Sequence, residues 1–96
     1  MTSSKFLSVT TLSANGSTFT AFPSATPVTV LHVLNNSGTS IDFSRVGDAS
    51  AVFTLPTAFA WSFRGLTNSS QIQVKRTDNS TTSVTIYAEA ELESRS

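Results

Sequence analysis

Apolar and polar residues alternate with a period of two along most of this chain, and no stretch of useful length has the 3.6-residue period of an amphipathic helix. Residues that favour turns (Gly, Pro, Asn, Asp and Ser) separate the alternating segments. The pattern predicts about seven short strands. The predicted fold class is therefore all-β, an antiparallel β-sandwich with Greek-key or jelly-roll-like connections.

Two pairs of segments have the pattern of a hairpin. Residues 28–34 form the most apolar strand, and the turn residues 35–38 lead from it into a second strand at 39–45. Residues 78–80 are predicted to close a second hairpin into the strand at 82–92.

The predicted core consists of apolar residues on one side of each alternating segment. Three aromatic rings in residues 59–64 alternate with small or polar residues, so we expect all three to point into the core; an aromatic platform for sugar stacking is the alternative. The predicted core residues are Val30, Ile41, Phe53, Phe59, Trp61, Phe63, Ile72, Val74, Val84 and Ile86.

The strand at 28–34 is apolar on both faces, which predicts a contact with a further layer of protein. Leu31 and Val33 form one face of this strand and are candidate interface residues. Another subunit or a returning N-terminal arm is expected to cover the second face. We divide the chain into an N-terminal arm or first strand at 1–13 and a single β-sandwich domain at 14–96.

The N-terminal segment is a candidate for docking by strand addition on a partner's sheet edge. Its apolar residues lie among hydroxyl-bearing residues that specify no local core. The candidate interface residues in this segment are Phe6, Leu7, Val9 and Leu12. Arg64 and Arg76, each at the end of a strand, are further candidates for subunit contacts, with a solvated arginine as the alternative.

Composition excludes several classes of protein. The chain has 96 residues and no cysteine, so it forms one small core without disulfides or thiolate metal sites, and such domains often gain stability by self-association. Six basic and six acidic residues give no basic stripe for nucleic acid. No apolar run is long enough for a signal peptide or a membrane span, which predicts a protein made in soluble form in the cytoplasm.

Candidate catalytic and metal-binding residues are few, and no cofactor is expected. His32 is the one histidine, and we expect a partly buried ring with one hydrogen-bonded nitrogen, with no nucleophile and orienting group nearby. Asp42, Asp48 and Asp78 do not match the spacing of a calcium loop and are expected to form turns.

Three glutamates share one face of the last strand. Glu89, Glu91 and Glu93 could pair for acid–base chemistry, but a charged edge strand that prevents strand addition explains them as simply. These considerations predict a protein without enzymatic activity.

Three segments resemble the small β-sandwich accessory proteins of tailed phages: 28–45 (VTVLHVLNNSGTSIDFSR), 53–56 (FTLP) and 63–78 (FRGLTNSSQIQVKRTD). Within that group the chain is most similar to capsid cement or decoration proteins. The resemblance covers about residues 28–91 and consists of strands and turns. It implies a virion structural role, a homo-oligomer that is often a trimer, and no catalytic residue.

These observations lead to one expected function and two alternatives. The expected function is a virion protein that binds itself and major-capsid subunits. A neck, tail or head-fibre component is the first alternative, and a carbohydrate-binding module that uses exposed aromatic side chains is the second. No nucleic acid or membrane is expected as a partner.

Overall fold

The structure, a computed structural model, describes residues 2–10, 18–24 and 28–93. These residues form strands and one short 3₁₀ helix at Ser69–Gln71. The strands are β1 (Thr2–Thr10), β2 (Thr20–Ala21), β3 (Val30–Asn35), β4 (Ile41–Arg45), β5 (Asp48–Leu55), β6 (Phe59–Arg64), β7 (Ile72–Arg76) and β8 (Thr85–Glu93).

The strands form two four-stranded antiparallel sheets. Sheet A has the order β1-β8-β3-β6, and sheet B has the order β2-β7-β4-β5. The chain passes from one sheet to the other at every connection except that between β4 and β5. This order is that of an eight-stranded jelly roll, so the predicted antiparallel β-sandwich with jelly-roll-like connections is confirmed.

The core lies between the two sheets, because alternate residues of each strand point inward. Five of the ten predicted core residues have under a tenth of their surface exposed, namely Val30, Ile41, Ile72, Val74 and Ile86, and Phe63 is partly buried. Val30 lies on the outward side of β3 and is not part of the core cluster. Phe53 and Val84 are also partly buried against the core. The buried core cluster includes Phe22, Leu31, Val33, Phe43, Leu55 and Leu66 in addition.

Phe59 and Trp61 were expected in the core, and this prediction is wrong. Both side chains are on the inward side of β6, since they pair with the inward-facing residues Asn35 and Val33. However, β6 is an edge strand, and the facing edge strand β5 covers its inward side only in part. Phe59 is therefore 59% exposed and Trp61 is 50% exposed.

Both predicted hairpins are wrong as well. Strands β3 and β8 belong to sheet A, whereas β4 and β7 belong to sheet B. Neither predicted hairpin therefore pairs its two strands. The hairpin that forms joins β4 to β5 around Val46 and Gly47, where Gly47 has a positive φ of 95° that suits glycine. Turn residues mark where a strand ends but do not determine which sheet the next strand joins.

The N-terminal segment is a strand of the chain's own sheet. Strand β1 pairs with β8 from Thr2 to Thr10, which places Val9 in the core and packs Leu7 against it. The segment therefore completes sheet A as its first strand, which is one of the two alternatives given for residues 1–13, and in this arrangement it is not an arm that docks on a partner's sheet edge. Leu12 lies outside the described residues.

The buried side chain of Asn35 connects the two sheets at one end of the sandwich. Its amide nitrogen donates hydrogen bonds to the carbonyl oxygens of Thr39 at 2.8 Å and Leu55 at 2.7 Å. Its amide oxygen accepts hydrogen bonds from the backbone nitrogen and the hydroxyl of Ser37. The β3–β4 connection is thus held by the side chain that ends β3.

Candidate protein-binding site

The outer face of sheet A carries a set of exposed apolar side chains. The antiparallel register aligns two rows across the four strands: Phe6, Glu89, His32 and Ser62 in the first, and Ser8, Tyr87, Leu34 and Ala60 in the second. Residues paired in register point to the same side of a sheet. We call the surface formed by Phe6, His32, Leu34, Ala60, Tyr87 and Glu89 the apolar face.

Three large side chains of the apolar face are exposed to a degree that is unusual for apolar residues. Phe6 is 85% exposed, Tyr87 is 60% exposed and Leu34 is 46% exposed. Together with Ala60 they line a groove of about 360 Å³. A contiguous exposed apolar patch with polar residues at its rim is typical of an interaction site.

His32 lies at the polar end of the apolar face, between a hydroxyl group and a carboxylate. Its Nδ1 is 2.6 Å from the hydroxyl oxygen of Ser62, and its Nε2 is 3.5 Å from a carboxylate oxygen of Glu91. The partly buried, hydrogen-bonded ring is confirmed. The expectation that no nucleophile and orienting group lie nearby is wrong, because strand pairing brings in groups that are distant in sequence.

This line of serine, histidine and carboxylate has the residue types of a hydrolase triad. The arrangement differs from a catalytic one in that the ring is open to solvent on a sheet face and the carboxylate is 3.5 Å away, beyond a good hydrogen bond. The contact with Ser62 provides a hydrogen-bond partner for Nδ1 of the ring beside the apolar groove.

The outer face of sheet B is polar by comparison. Asp42 accepts hydrogen bonds from the hydroxyls of Thr54 and Thr77, each at 2.7 Å, and from Lys75 Nζ at 3.2 Å. Burial alone would raise the pKa of the Asp42 carboxyl group, but these hydrogen bonds and the charge of Lys75 outweigh burial and lower it. Asp42 was expected in a turn and instead lies within β4.

A second exposed surface lies where the edge strands β5 and β6 meet. Phe53 of β5 contacts Trp61 with ring centroids 4.9 Å apart and Phe63 with ring centroids 6.2 Å apart. Phe59 continues the same side of β6. We call these four residues the aromatic edge.

The structure separates the predicted interface residues into three groups. Leu31, Val33 and Val9 are buried in the core, so they do not form a surface, and Leu7 is partly buried against that core. Phe6 is on the apolar face. The face assignment of β3 was reversed, because both of its faces are apolar and alternation alone does not distinguish them.

The two predicted interface arginines have different surroundings. Arg64 is exposed at the end of β6, and its carbonyl oxygen accepts a hydrogen bond from Arg45 at 2.9 Å. Arg76 forms a bidentate ion pair with Asp78, which lowers the pKa of Asp78 and holds the turn after β7. Arg76 therefore stabilises its own chain.

Sequence reasoning did not name Leu34, Ala60 or Tyr87 as candidate interface residues. Tyr87 could have been included, since it alternates with the buried residues of β8. Glu89 and Glu91 share this outward side, as expected, but β8 is paired on both sides, so the expectation of a charged edge strand is wrong. The side chain of Glu93 is not among those described.

Neither a metal-ion site nor a membrane-spanning helix is found among the residues that the structure describes. Among the described residues no three His, Asp or Glu side chains come together in a way that could hold a metal ion. Within the same residues no helix has the length and hydrophobicity needed to cross a membrane.

Comparison of the chain with protein-family models, curated proteins and solved structures finds no match.

Proposed function

We propose that this protein is a non-enzymatic structural component of a tailed-phage particle, where it serves as a capsid cement or decoration protein that binds and stabilises major-capsid subunits. The resemblance of segments 28–45, 53–56 and 63–78 to such proteins supports the setting. The jelly roll is used by viral capsid domains and also by lectins, so the fold alone does not decide between these functions.

The observation that carries this proposal is the difference between the two outer faces of the sandwich. The apolar face exposes Phe6, Leu34 and Tyr87, whereas the outer face of sheet B carries the hydrogen-bonded network around Asp42. Burying three large apolar side chains against another protein gives a favourable free energy of about 1.5–3 kcal/mol for each fully buried side chain. A protein that binds other subunits explains the asymmetry directly.

Self-association is part of the proposal. The chain has no disulfide, a small core and a net charge of zero, so copies repel one another only weakly and gain stability by association. The resemblance alone implies a trimer. An oligomer that contacts several capsid subunits at once binds with an effective concentration far above that of the free protein.

The two exposed surfaces have separate roles in this proposal. The apolar face holds copies together, and the aromatic edge contacts the shell. Tryptophan is enriched among residues that dominate binding energy, and Trp61 is half exposed at the centre of the aromatic edge.

Replacing Trp61 with serine is expected to weaken binding to undecorated phage capsids by about thirtyfold, which corresponds to the 2 kcal/mol of a moderate interface hot spot. The measurement is co-sedimentation of purified protein with capsids over a range of protein concentrations. Val52→Thr is the matched control, because Val52 is exposed to a similar degree in sheet B and is not part of either surface.

Equal binding by the wild type and Trp61→Ser would remove the aromatic edge as the shell contact. If the wild type does not sediment with capsids at all, the cement function is wrong, and a neck, tail or head-fibre role takes its place.

A carbohydrate-binding module is the second candidate, favoured by the half-exposed rings of Phe59 and Trp61. Exposed aromatic side chains stack on sugar rings. Trp61 is the one tryptophan of the chain, so a change in intrinsic fluorescence on addition of glycans would report this binding directly.

A further inference from the structure

We infer that the apolar face is occupied by a second copy of this chain, packed sheet on sheet about a two-fold axis that runs parallel to the strands between β8 and β3. This inference deepens the proposed self-association by giving it a surface and a symmetry. It rests on that part of the proposed function but not on capsid binding.

The β1 edge of sheet A is unsuited to association by strand addition. Lys5 is exposed on the inward side of the edge strand β1, since it pairs with the buried Ala90 and alternates with Leu7 and Val9. An inward-pointing charge on an edge strand opposes the addition of another strand. Association of two copies therefore favours the face of the sheet over this edge.

The size of the face suits a modest, specific contact. Sheet A is four strands wide, and its strands are six to nine residues long. These dimensions correspond to about 500 Å² on each copy. Two copies would bury about 1,000 Å², the lower limit for a specific interface, so we expect association in the micromolar range.

The register of sheet A makes the face complementary to itself. A two-fold axis parallel to the strands exchanges β8 with β3 and β1 with β6 while keeping each row in place. Glu89 then faces the second copy's His32, and Tyr87 faces the second copy's Leu34. The large Phe6 faces the small Ser62 in the same way.

The other two-fold arrangement is less favourable. An axis perpendicular to the strands, placed between the two rows, would lay Glu89 over Tyr87 and His32 over Leu34. The carboxylate and the imidazole would then each lose solvent against an apolar side chain of the second copy and gain no polar partner from it. The polar side chains of the face therefore favour the parallel axis.

A complementation experiment tests both the surface and the symmetry. Glu89→Lys places a lysine opposite His32, and His32→Glu places a glutamate opposite Glu89, so each variant is expected to weaken self-association by at least about tenfold. In a mixed dimer the parallel axis places the lysine at position 89 of one copy opposite the glutamate at position 32 of the other. The second contact is between the unchanged His32 of the first copy and the unchanged Glu89 of the second. The mixture is therefore expected to regain the wild-type mass by light scattering.

Circular dichroism of each variant separates loss of association from loss of folding, and recovery of the mass on mixing is not an effect that misfolding produces. Variants that keep the wild-type mass, or a mixture that stays monomeric, would overturn the inference. A wild-type particle of three copies would also overturn it, since an odd number leaves one face unpaired. The two-fold dimer inferred here differs from the trimer that the resemblance implies. Sedimentation with capsids tests the cement function separately, whichever oligomer forms.

Discussion

Replacing Phe43 with alanine is expected to lower the free energy of unfolding by about 3–5 kcal/mol. Phe43 is fully buried in β4, a strand of sheet B that pairs on both sides, and its ring lies 5.5 Å from the ring of Phe63. The truncation removes apolar contacts and leaves a cavity between two sheets that cannot collapse fully. For a domain of this size the change corresponds to a fall in Tm of about 15–30 °C.

The measurement is thermal or denaturant unfolding at fixed protein concentration, because self-association makes stability depend on concentration. Phe59→Ala is the matched control, since it is the same chemical change at an exposed position outside the apolar face and is expected to change stability by less than about 1 kcal/mol. A loss below 1 kcal/mol for Phe43→Ala would show that the ring is not in a rigid core.

The second large effect is expected for Asn35→Asp, which replaces the amide nitrogen of a buried side chain with oxygen. The amide nitrogen of Asn35 donates to two carbonyl oxygens, and aspartate would place a carboxylate oxygen against both of them. Both carbonyls would lose the amide donor, and the repulsion adds to this, so we expect a loss of about 3–5 kcal/mol. The loss should shrink as the pH is lowered, since a protonated aspartate recovers one O–H donor.

Asn36→Asp provides the control, because it is the same substitution at the neighbouring exposed position. Urea unfolding of both variants at two pH values measures the difference. Equal stability of the two variants would contradict the role of Asn35 as the link between β3, the Thr39 carbonyl and the Leu55 carbonyl.

Local patterns were sufficient to predict the class and the positions of most strands. Alternation in β7 and β8 places Ile72, Val74 and Ile86 inside, and the structure buries all three. Both strands pair with a neighbour on each side, and each has one buried face and one face exposed to solvent. A period of two in such a strand therefore identifies the buried residues directly. The antiparallel sandwich followed from the same periodicity.

Strand pairing and the candidate site required information that local patterns lack. A jelly roll pairs β3 with β6 and β8, which are distant in sequence, so the turn residues after β3 suggested a hairpin that does not form. The faces of β3 were exchanged because Leu31 and Leu34 are equally apolar. Phe59 and Trp61 were placed in the core because the sequence does not reveal that β6 is an edge strand.

The contacts of His32 could not be predicted from local sequence patterns either. Ser62 and Glu91 reach the ring through the register of three strands, and no spacing within any one segment indicates their contact. Phe6 was named as a candidate interface residue within a docking arm, and the structure exposes it on the outward side of β1 instead.

The central claim is that the apolar face binds another protein subunit, and the particle mass in solution tests it most directly. Light scattering coupled to gel filtration, at micromolar concentration, compares the wild type with Tyr87→Glu and with Val52→Glu, which puts the same charge on sheet B. We expect an oligomeric wild type, an oligomeric Val52→Glu and a monomeric Tyr87→Glu. A monomeric wild type, or a Tyr87→Glu variant that keeps the wild-type mass, would contradict the account.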